Sequence, residues 1–399
     1  MSRVNDLLTL QAAQALVLER ALPLETETVP LANAAGRVLA EPATAMVDLP
    51  PFPSSAMDGY AVRSTDTPGQ LPVVERIAAG SPATRPLAAG EAMGISTGGV
   101  VPEGADSVIQ HERVVETDNQ VEISEVVAVG DNVRAIGRDV TAGAVVVPAG
   151  VILSPARIGA LAAAGIAEVV CHRRPRVAVL TTGTELRRPG EPLGSGEVYE
   201  ANGVMVASQL ESAGALVTQL DAVADDEEEH RQSIARGLEH DMLVTSGGVS
   251  VGPHDLVRRV EAELGVEEIF WRVAVRPGKP VSFGVRGQTL VFGLPGNPVS
   301  TLVGCELFVR PAVLALQGAA DPGPQFRSGR LAAAVDRNTA RDDLLRARST
   351  VTDDGVVLEP VSGQESHMIV RASEADALVL VPRGEGGLEA GAPVRYLSI

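Results

Sequence analysis

Apolar residues recur at helical spacing over residues 4–22, where Leu7, Leu8, Leu10, Ala13, Leu16 and Val17 mark one face. A second helical pattern starts near Pro155 and runs to about 165. Between them the pattern changes to short runs of Val, Ile and Leu, such as 71–74, 107–110 and 121–124, bounded by Pro and Gly. Short strands between turn residues predict a small β domain over 48–138. It is inserted between two segments, 1–47 and 139–171, which are expected to pack together as one linker domain.

Residues 172–320 alternate strand, loop and helix. Strands are predicted at 176–181, 216–221, 242–246 and 289–292, with helices near 199–213, 226–238 and 298–316. That alternation predicts an α/β domain with a mainly parallel sheet. Short apolar runs return at 356–358 and 377–381, so 321–399 is expected to form a C-terminal β domain.

Composition narrows the function. Aromatics are only 3%, too few for a surface on which nucleic-acid bases stack. A formal net charge of -18 argues against nonspecific binding to nucleic acid or an anionic membrane, so an anionic substrate needs a local cationic pocket. Two cysteines, Cys171 and Cys305, cannot build a disulfide framework or a zinc cluster. No apolar run is expected to reach the 18 residues of a membrane span, and the start of the chain lacks a basic-then-apolar signal pattern. The expectation is a cytoplasmic protein.

The cations are 32 arginines and a single lysine, Lys279, in the run Arg276-Pro277-Gly278-Lys279-Pro280. A lysine is a compact point charge and does not replace a planar guanidinium. Set in a Pro-Gly turn, it is a candidate oxyanion holder. Ligands of open α/β sheets bind beyond the carboxyl ends of the strands. Three glycine-bearing loops follow predicted strands there: 181–185, 246–255 and 293–300. Successive glycines let backbone N–H groups converge on phosphate, and Glu185 and Asp255 in those loops point to Mg²⁺ bridging carboxylate and phosphate. The acidic run 225–229 suits a helix N-terminus, with Asp225 or Asp226 close enough to a strand end to serve the site. Asp58, before Gly59, is either a turn residue or a site carboxylate.

Eight motifs together resemble the molybdopterin molybdenumtransferase family, which includes the E domain of gephyrin. They are PFPSSAMDGYAVR (51–63), TGGVVPEGAD (97–106), GRD (137–139), TGTEL (182–186), SGGVSVGPHD (246–255), RPGKP (276–280), GLPGNPVS (293–300) and SHM (366–368), and they span nearly the whole chain. The resemblance implies a multidomain α/β plus β fold. Its parts are an elongated linker domain, an inserted β domain, a three-layer α/β domain similar to molybdopterin adenylyltransferase, and a C-terminal β barrel-like domain. It implies insertion of molybdate into adenylyl-molybdopterin with Mg²⁺ and release of AMP, by a homodimer in which Asp58 and Thr97 serve the partner's site. A molybdopterin adenylyltransferase would supply the substrate, and molybdoenzymes or their chaperones would accept the product. By the same resemblance, Glu185, Asp226 and Asp255 hold the metal or the phosphate linkage. Gly247, Gly248 and Ser250 cradle the pterin phosphate. Lys279, Arg276, Ser300, Ser366 and Arg346 surround molybdate, while Pro295 and Pro298 hold the loop, and Arg134 and Asp139 are further binding candidates. Two departures stand out: relatives often carry lysine where this chain has Arg276, and the run 341–346 matches only loosely, leaving Arg341 as the alternative to Arg346. A scaffold of the gephyrin type, without insertase activity, is the competing reading. It requires a hydrophobic peptide groove that this aromatic-poor chain does not announce.

Overall fold

Alternate residues of the strand Arg176–Thr181 enter two different cores, which is why this part of the chain needs helices on both faces of its sheet. Val177 and Val179 pack with Val206, Leu210, Val299 and Val303 on one side. Ala178 and Leu180 pack with Ile234, Leu238, Val257 and Val260 on the other. A strand buried on both faces reads as a continuous apolar run, as 176–181 does.

The structure is a computed structural model that describes residues 7–222, 227–248 and 256–399. Among the described residues the chain forms two compact units. One comprises 28–35 and 41–170, and the other comprises the N-terminal segment to Glu27, 36–40 and 171–399.

The smaller unit is built on a six-stranded sheet in the order Ser107–Gln110, Gly59–Val62, Ala92–Ile95, Gly69–Ile77, Gln120–Ile123, Val115–Thr117. Period-2 alternation is visible here too. Tyr60 and Val62 enter one core, and Ala61 between them enters the other. The helix Pro155–Ala163 is capped by the Ser154 hydroxyl, which accepts from the Arg157 N–H, with Pro155 in its first turn.

In the larger unit the strand order is Leu216–Gln219, Arg176–Thr181, Met242–Ser246, Thr289–Leu294, Ser282–Arg286, Glu267–Trp271. The first four are parallel and the last two antiparallel. The predicted parallel sheet is therefore present, with an antiparallel edge. Four of the six phenylalanines form one contiguous cluster. Phe283 and Phe292 lie 4.9 Å apart between ring centroids, Phe270 and Phe283 5.7 Å, and Phe270 and Phe308 6.4 Å.

The C-terminal β domain closes on itself. Strands Asp342–Thr352, Gly355–Pro360, Arg327–Leu331, Pro393–Ser398 and Ala377–Val381 pair in that order, and the last pairs back with the first, giving a five-stranded barrel without free edges. One further short strand, Val275–Arg276, leaves the α/β domain and adds in parallel to Asp342–Asp343.

The N-terminal helix, Leu10–Arg20 among the described residues, buries Leu10, Ala13 and Val17 in the α/β core, while residues 28–35 fall in one unit with 41–170. Its apolar stripe fits the aliphatic surface of the long helix, and the Gln14 amide also donates to Leu307 O at 3.1 Å. The segment Pro298–Leu316, interrupted by a π-helical turn at Cys305–Val309, is 19 residues with a mean hydropathy of 1.6, long and apolar enough to cross a membrane. It is 83% buried, so it is a core helix, largely apolar because it is surrounded by protein, with an ion pair, Arg310–Glu306, at 3.0 Å.

Phe292 ends the aromatic cluster against Phe283 and is wholly buried. Phe292→Ala is expected to destabilise the α/β domain by about 3–5 kcal/mol, read as a lower urea midpoint by circular dichroism.

Candidate active site

The register of the parallel strands sets the three glycine-bearing loops side by side. Thr181 lies opposite Ser246, and Ser246 opposite Leu294. The loops then interlock through main-chain hydrogen bonds: Thr182 N–H donates to Ser246 O at 3.0 Å, and Gly247 N–H to Leu294 O at 3.1 Å. The Ser246 hydroxyl donates to Pro295 O at 3.2 Å and accepts from the Asn202 amide at 3.0 Å, which also reaches Gly296 O at 2.8 Å. Asn202 was not singled out from sequence, because an asparagine opening a helix carries no special signal. Glycine is required at 247: φ is +96°, and a Cβ there would stand 2.6 Å from Thr182 O.

The Glu185 carboxylate is exposed, curls over Gly183, and has no ion pair among the described residues. Asp226, Ser250 and Asp255 lie outside the described residues. Among the described ones, no three His, Cys, Asp or Glu side chains gather as a metal cluster. Mg²⁺ does not need such a cage, since it takes one or two carboxylates and completes its shell with water and phosphate. A lone unpaired carboxylate beside phosphate-suited loops fits that donor set.

A cavity of about 700 Å³ opens where the α/β domain meets the barrel, lined by Arg276, Lys279, Asn297, Ser300, Arg341 and Ser366 among others. The Lys279 turn is held from both sides. Val273 N–H donates to Lys279 O at 3.0 Å and Arg272 N–H to Val281 O at 2.9 Å, while Gly278 takes φ +101°. The lysine backbone is thus fixed, while its half-buried ammonium has no hydrogen bond or ion pair among the described residues. Arg276 differs. Its guanidinium is half-exposed and pairs at 2.5 Å with Asp343, which is wholly buried. Burial raises the pKa of Asp343, and the adjacent Arg276 charge only partly opposes this. Much of the Arg276 charge is therefore committed within the protein, and Lys279 and Arg341 supply the uncommitted positive charge of a wall that also carries the Glu365 carboxylate.

Ser366 comes from the segment after the barrel strand Gly355–Pro360. The Asn297 amide donates to its hydroxyl at 2.8 Å, and Val299 N–H to its carbonyl at 3.0 Å. Pro295 lines the cavity; Pro298 instead opens the core helix. Arg346 does not line the cavity. It is wholly buried, with Nη2 donating to Gly363 O at 2.6 Å and its main-chain N–H to the Gln364 side-chain oxygen at 3.1 Å. The Gln364 amide returns a bond to Arg346 O at 2.8 Å. Arg346 thus braces the 361–366 segment, and Arg341, just before the strand Asp342–Thr352, reaches the wall in its place.

Asp58, Thr97, Arg134 and Asp139 belong to the smaller unit. Asp58 Oδ1 accepts from the Thr97 N–H at 2.7 Å and from its hydroxyl at 3.0 Å. These bonds, the backbone one foremost, hold the Asp58 carboxyl below the usual aspartate range. Arg134 lies in a short strand beside Ser54, and Asp139 is exposed, its N–H donating to Leu49 O at 2.9 Å.

Trp271, the only tryptophan, lies on the strand that runs into the Lys279 turn. Its ring is contacted by two guanidinium groups, Arg272 at 3.7 Å and Arg258 at 4.1 Å from the centroid. Arg258 also forms a two-pronged pair with Glu268, at 2.8 and 2.9 Å.

A doubly covered α/β sheet with interlocked glycine loops at its strand ends, spliced to a barrel across a cavity bearing Lys279 and Arg341, is the architecture of a multidomain α/β enzyme. The chain belongs to the molybdopterin molybdenumtransferase family, MoeA. Residues 8–165 match the MoeA N-terminal region (domain I and II), 178–315 the probable molybdopterin binding domain, and 328–399 the MoeA C-terminal region (domain IV). A molybdopterin molybdenumtransferase of Haemophilus influenzae is 36% identical over 395 residues, 97% of this chain and 98% of the relative. Molybdopterin molybdenumtransferase 2 of Mycobacterium tuberculosis is 37% identical over 85% of this chain and 87% of its own. The crystal structure of the molybdopterin biosynthesis moeA protein from Pyrococcus horikoshii OT3 superposes with a TM-score of 0.84 at 27% identity, covering 99% of this chain and 100% of that one.

Thr97→Val removes the hydroxyl donor to Asp58 and keeps the N–H. The Asp58 carboxyl should then titrate at higher pH than in the wild type, as followed by carbon-detected NMR. A depressed folded-state pKa adds stability above the unfolded value that is lost as pH falls through the folded one, so the variant should give up part of that acid-side contribution.

Proposed function

We propose that this chain inserts molybdate into adenylyl-molybdopterin and releases AMP and molybdenum cofactor. One observation carries the reading: a half-buried, unpaired Lys279 ammonium on the wall of a cavity large enough for an oxyanion and part of a pterin, in the same unit as the glycine loops. Membership of the molybdopterin molybdenumtransferase family supports it.

The residues divide the work. Backbone N–H groups of the loops after Thr181, Ser246 and Leu294 would hold the phosphate-bearing part of the substrate. Lys279 and Arg341 attract the molybdate dianion, and the hydroxyls of Ser300 and Ser366 with the Asn297 amide complete its polar shell. Charge-assisted bonds of this kind are roughly twice as strong as neutral ones. Mg²⁺, held by Glu185, would neutralise phosphate charge. Acceleration then comes from positioning two reactants and from fixed charge, with no covalent protein intermediate.

The reading includes a homodimer. Asp58, Thr97, Arg134 and Asp139 belong to the smaller unit and leave exposed polar atoms, as residues serving a partner's site would. The chain would act in the cytoplasm, receive its substrate from a molybdopterin adenylyltransferase and pass its product to molybdoenzymes or their chaperones.

Purified protein given adenylyl-molybdopterin, Mg²⁺ and molybdate should release AMP at a rate that depends on molybdate, followed by liquid chromatography. AMP release indifferent to molybdate would sink the reading. Lys279→Arg should fold normally and lose about tenfold or more in turnover, about 1.4 kcal/mol of transition-state stabilisation, because a guanidinium cannot occupy the place of a compact ammonium.

A further inference from the structure

Lys279 is the only lysine in the sequence, so it carries the only side-chain primary amine. The amine is half-buried, on a backbone pinned by the Val273-to-Lys279 bond of 3.0 Å, and it has no ion-pair partner among the described residues. Around it stand groups that suit a tetrahedral dianion: the Arg341 guanidinium, the Ser300 and Ser366 hydroxyls, and the Asn297 amide. Phosphate has the same shape and a similar charge to molybdate. A small phosphate carrying a reactive acyl group would therefore be drawn to the cavity and held with its carbonyl near an uncommitted amine.

We propose that the cavity directs acyl phosphates onto Lys279, making this amine a modification site that switches the enzyme off. The proposal rests on the reading of the cavity as an oxyanion site. In the step, the neutral Lys279 amine attacks the carbonyl carbon of the acyl phosphate. A C–N bond forms, the C–O bond to phosphate breaks, and inorganic phosphate leaves. The amine's proton passes to the departing phosphate or to water. No oxidant, reductant or further co-reactant is required. The product is an uncharged amide, which can no longer attract molybdate.

Replacing lysine by arginine at every other cationic position strengthens the case. Arginine does not acylate under these conditions, since its guanidinium stays protonated. Exposed lysines elsewhere would act as decoys that consume reagent without effect on activity. This chain has none.

The test treats the full-length protein with acetyl phosphate and maps acetylation by peptide mass spectrometry, with acetic anhydride as a neutral reagent for comparison. Holding the reagent beside the amine replaces an encounter by a local reaction, so Lys279 should acetylate about tenfold or more faster than the lysine of a free peptide spanning 275–281. Molybdate should slow acetyl phosphate, and Arg341→Gln should slow it severalfold. Arg341→Gln should leave the rate with acetic anhydride unchanged, which also shows that the variant keeps its fold around the turn, whereas bound molybdate is expected to shield Lys279 from either reagent. Acetylation at the free-peptide rate, or with no protection by molybdate, overturns the proposal. Mass mapping is independent of turnover, so failure of directed acylation is separable from failure of the transferase reading. If both hold, loss of molybdate-dependent AMP release should track Lys279 occupancy one for one.

Discussion

The short parallel pairing of Val275–Arg276 with Asp342–Asp343 is the joint on which the site depends. It ties the edge of the α/β domain to the first residues of a barrel strand, and the Arg276–Asp343 pair locks it sideways. The Lys279 turn begins at its end, and Arg341 immediately precedes the partner strand. A guanidinium half in water adds little net stability, and desolvating the carboxylate offsets much of the attraction, so the pair acts chiefly as a geometric constraint. Its buried carboxylate nevertheless makes it directional: removing Arg276 would strand Asp343 in the interior.

Electrostatics at this joint runs against the rest of the protein. A chain of net charge -18 repels a dianion at long range, yet salt limits that repulsion to about 8 Å under physiological conditions. Within that distance Lys279 and Arg341 are the positive groups of the wall, set against the Glu365 carboxylate, and the pairing of Arg276 with Asp343 leaves the proposed attraction for an anion to those two groups.

Much of this was legible in the sequence because it follows from local rules. Strand periodicity gave the sheet, and buried apolar runs ending in glycine placed three loops at the carboxyl ends of its strands, while their side-by-side register at Thr181, Ser246 and Leu294 came only from the fold. The lone lysine led to the cavity. What escaped depends on three-dimensional phase. Arg341 and Arg346 look alike in a linear run, and only the strand's placement in the barrel turns one to the cavity and buries the other. Asn202 and Asn297 act through single hydrogen bonds that no spacing announces. The apolar stripe of the N-terminal helix says that it packs, not on what. The core helix at 298–316 has the composition of a membrane span, and only its surroundings say otherwise.

Trp271 has a consequence for how the protein can be observed. It is the only indole in the chain, stacked against two arginines, on the strand that continues into the lysine turn. Nearly all long-wavelength ultraviolet emission from this polypeptide therefore originates at one residue that precedes the turn bearing Lys279, the group proposed to hold the anion. A movement that shifts either arginine off the ring alters the colour or brightness of the whole protein, so the native chain carries its own optical gauge of the turn.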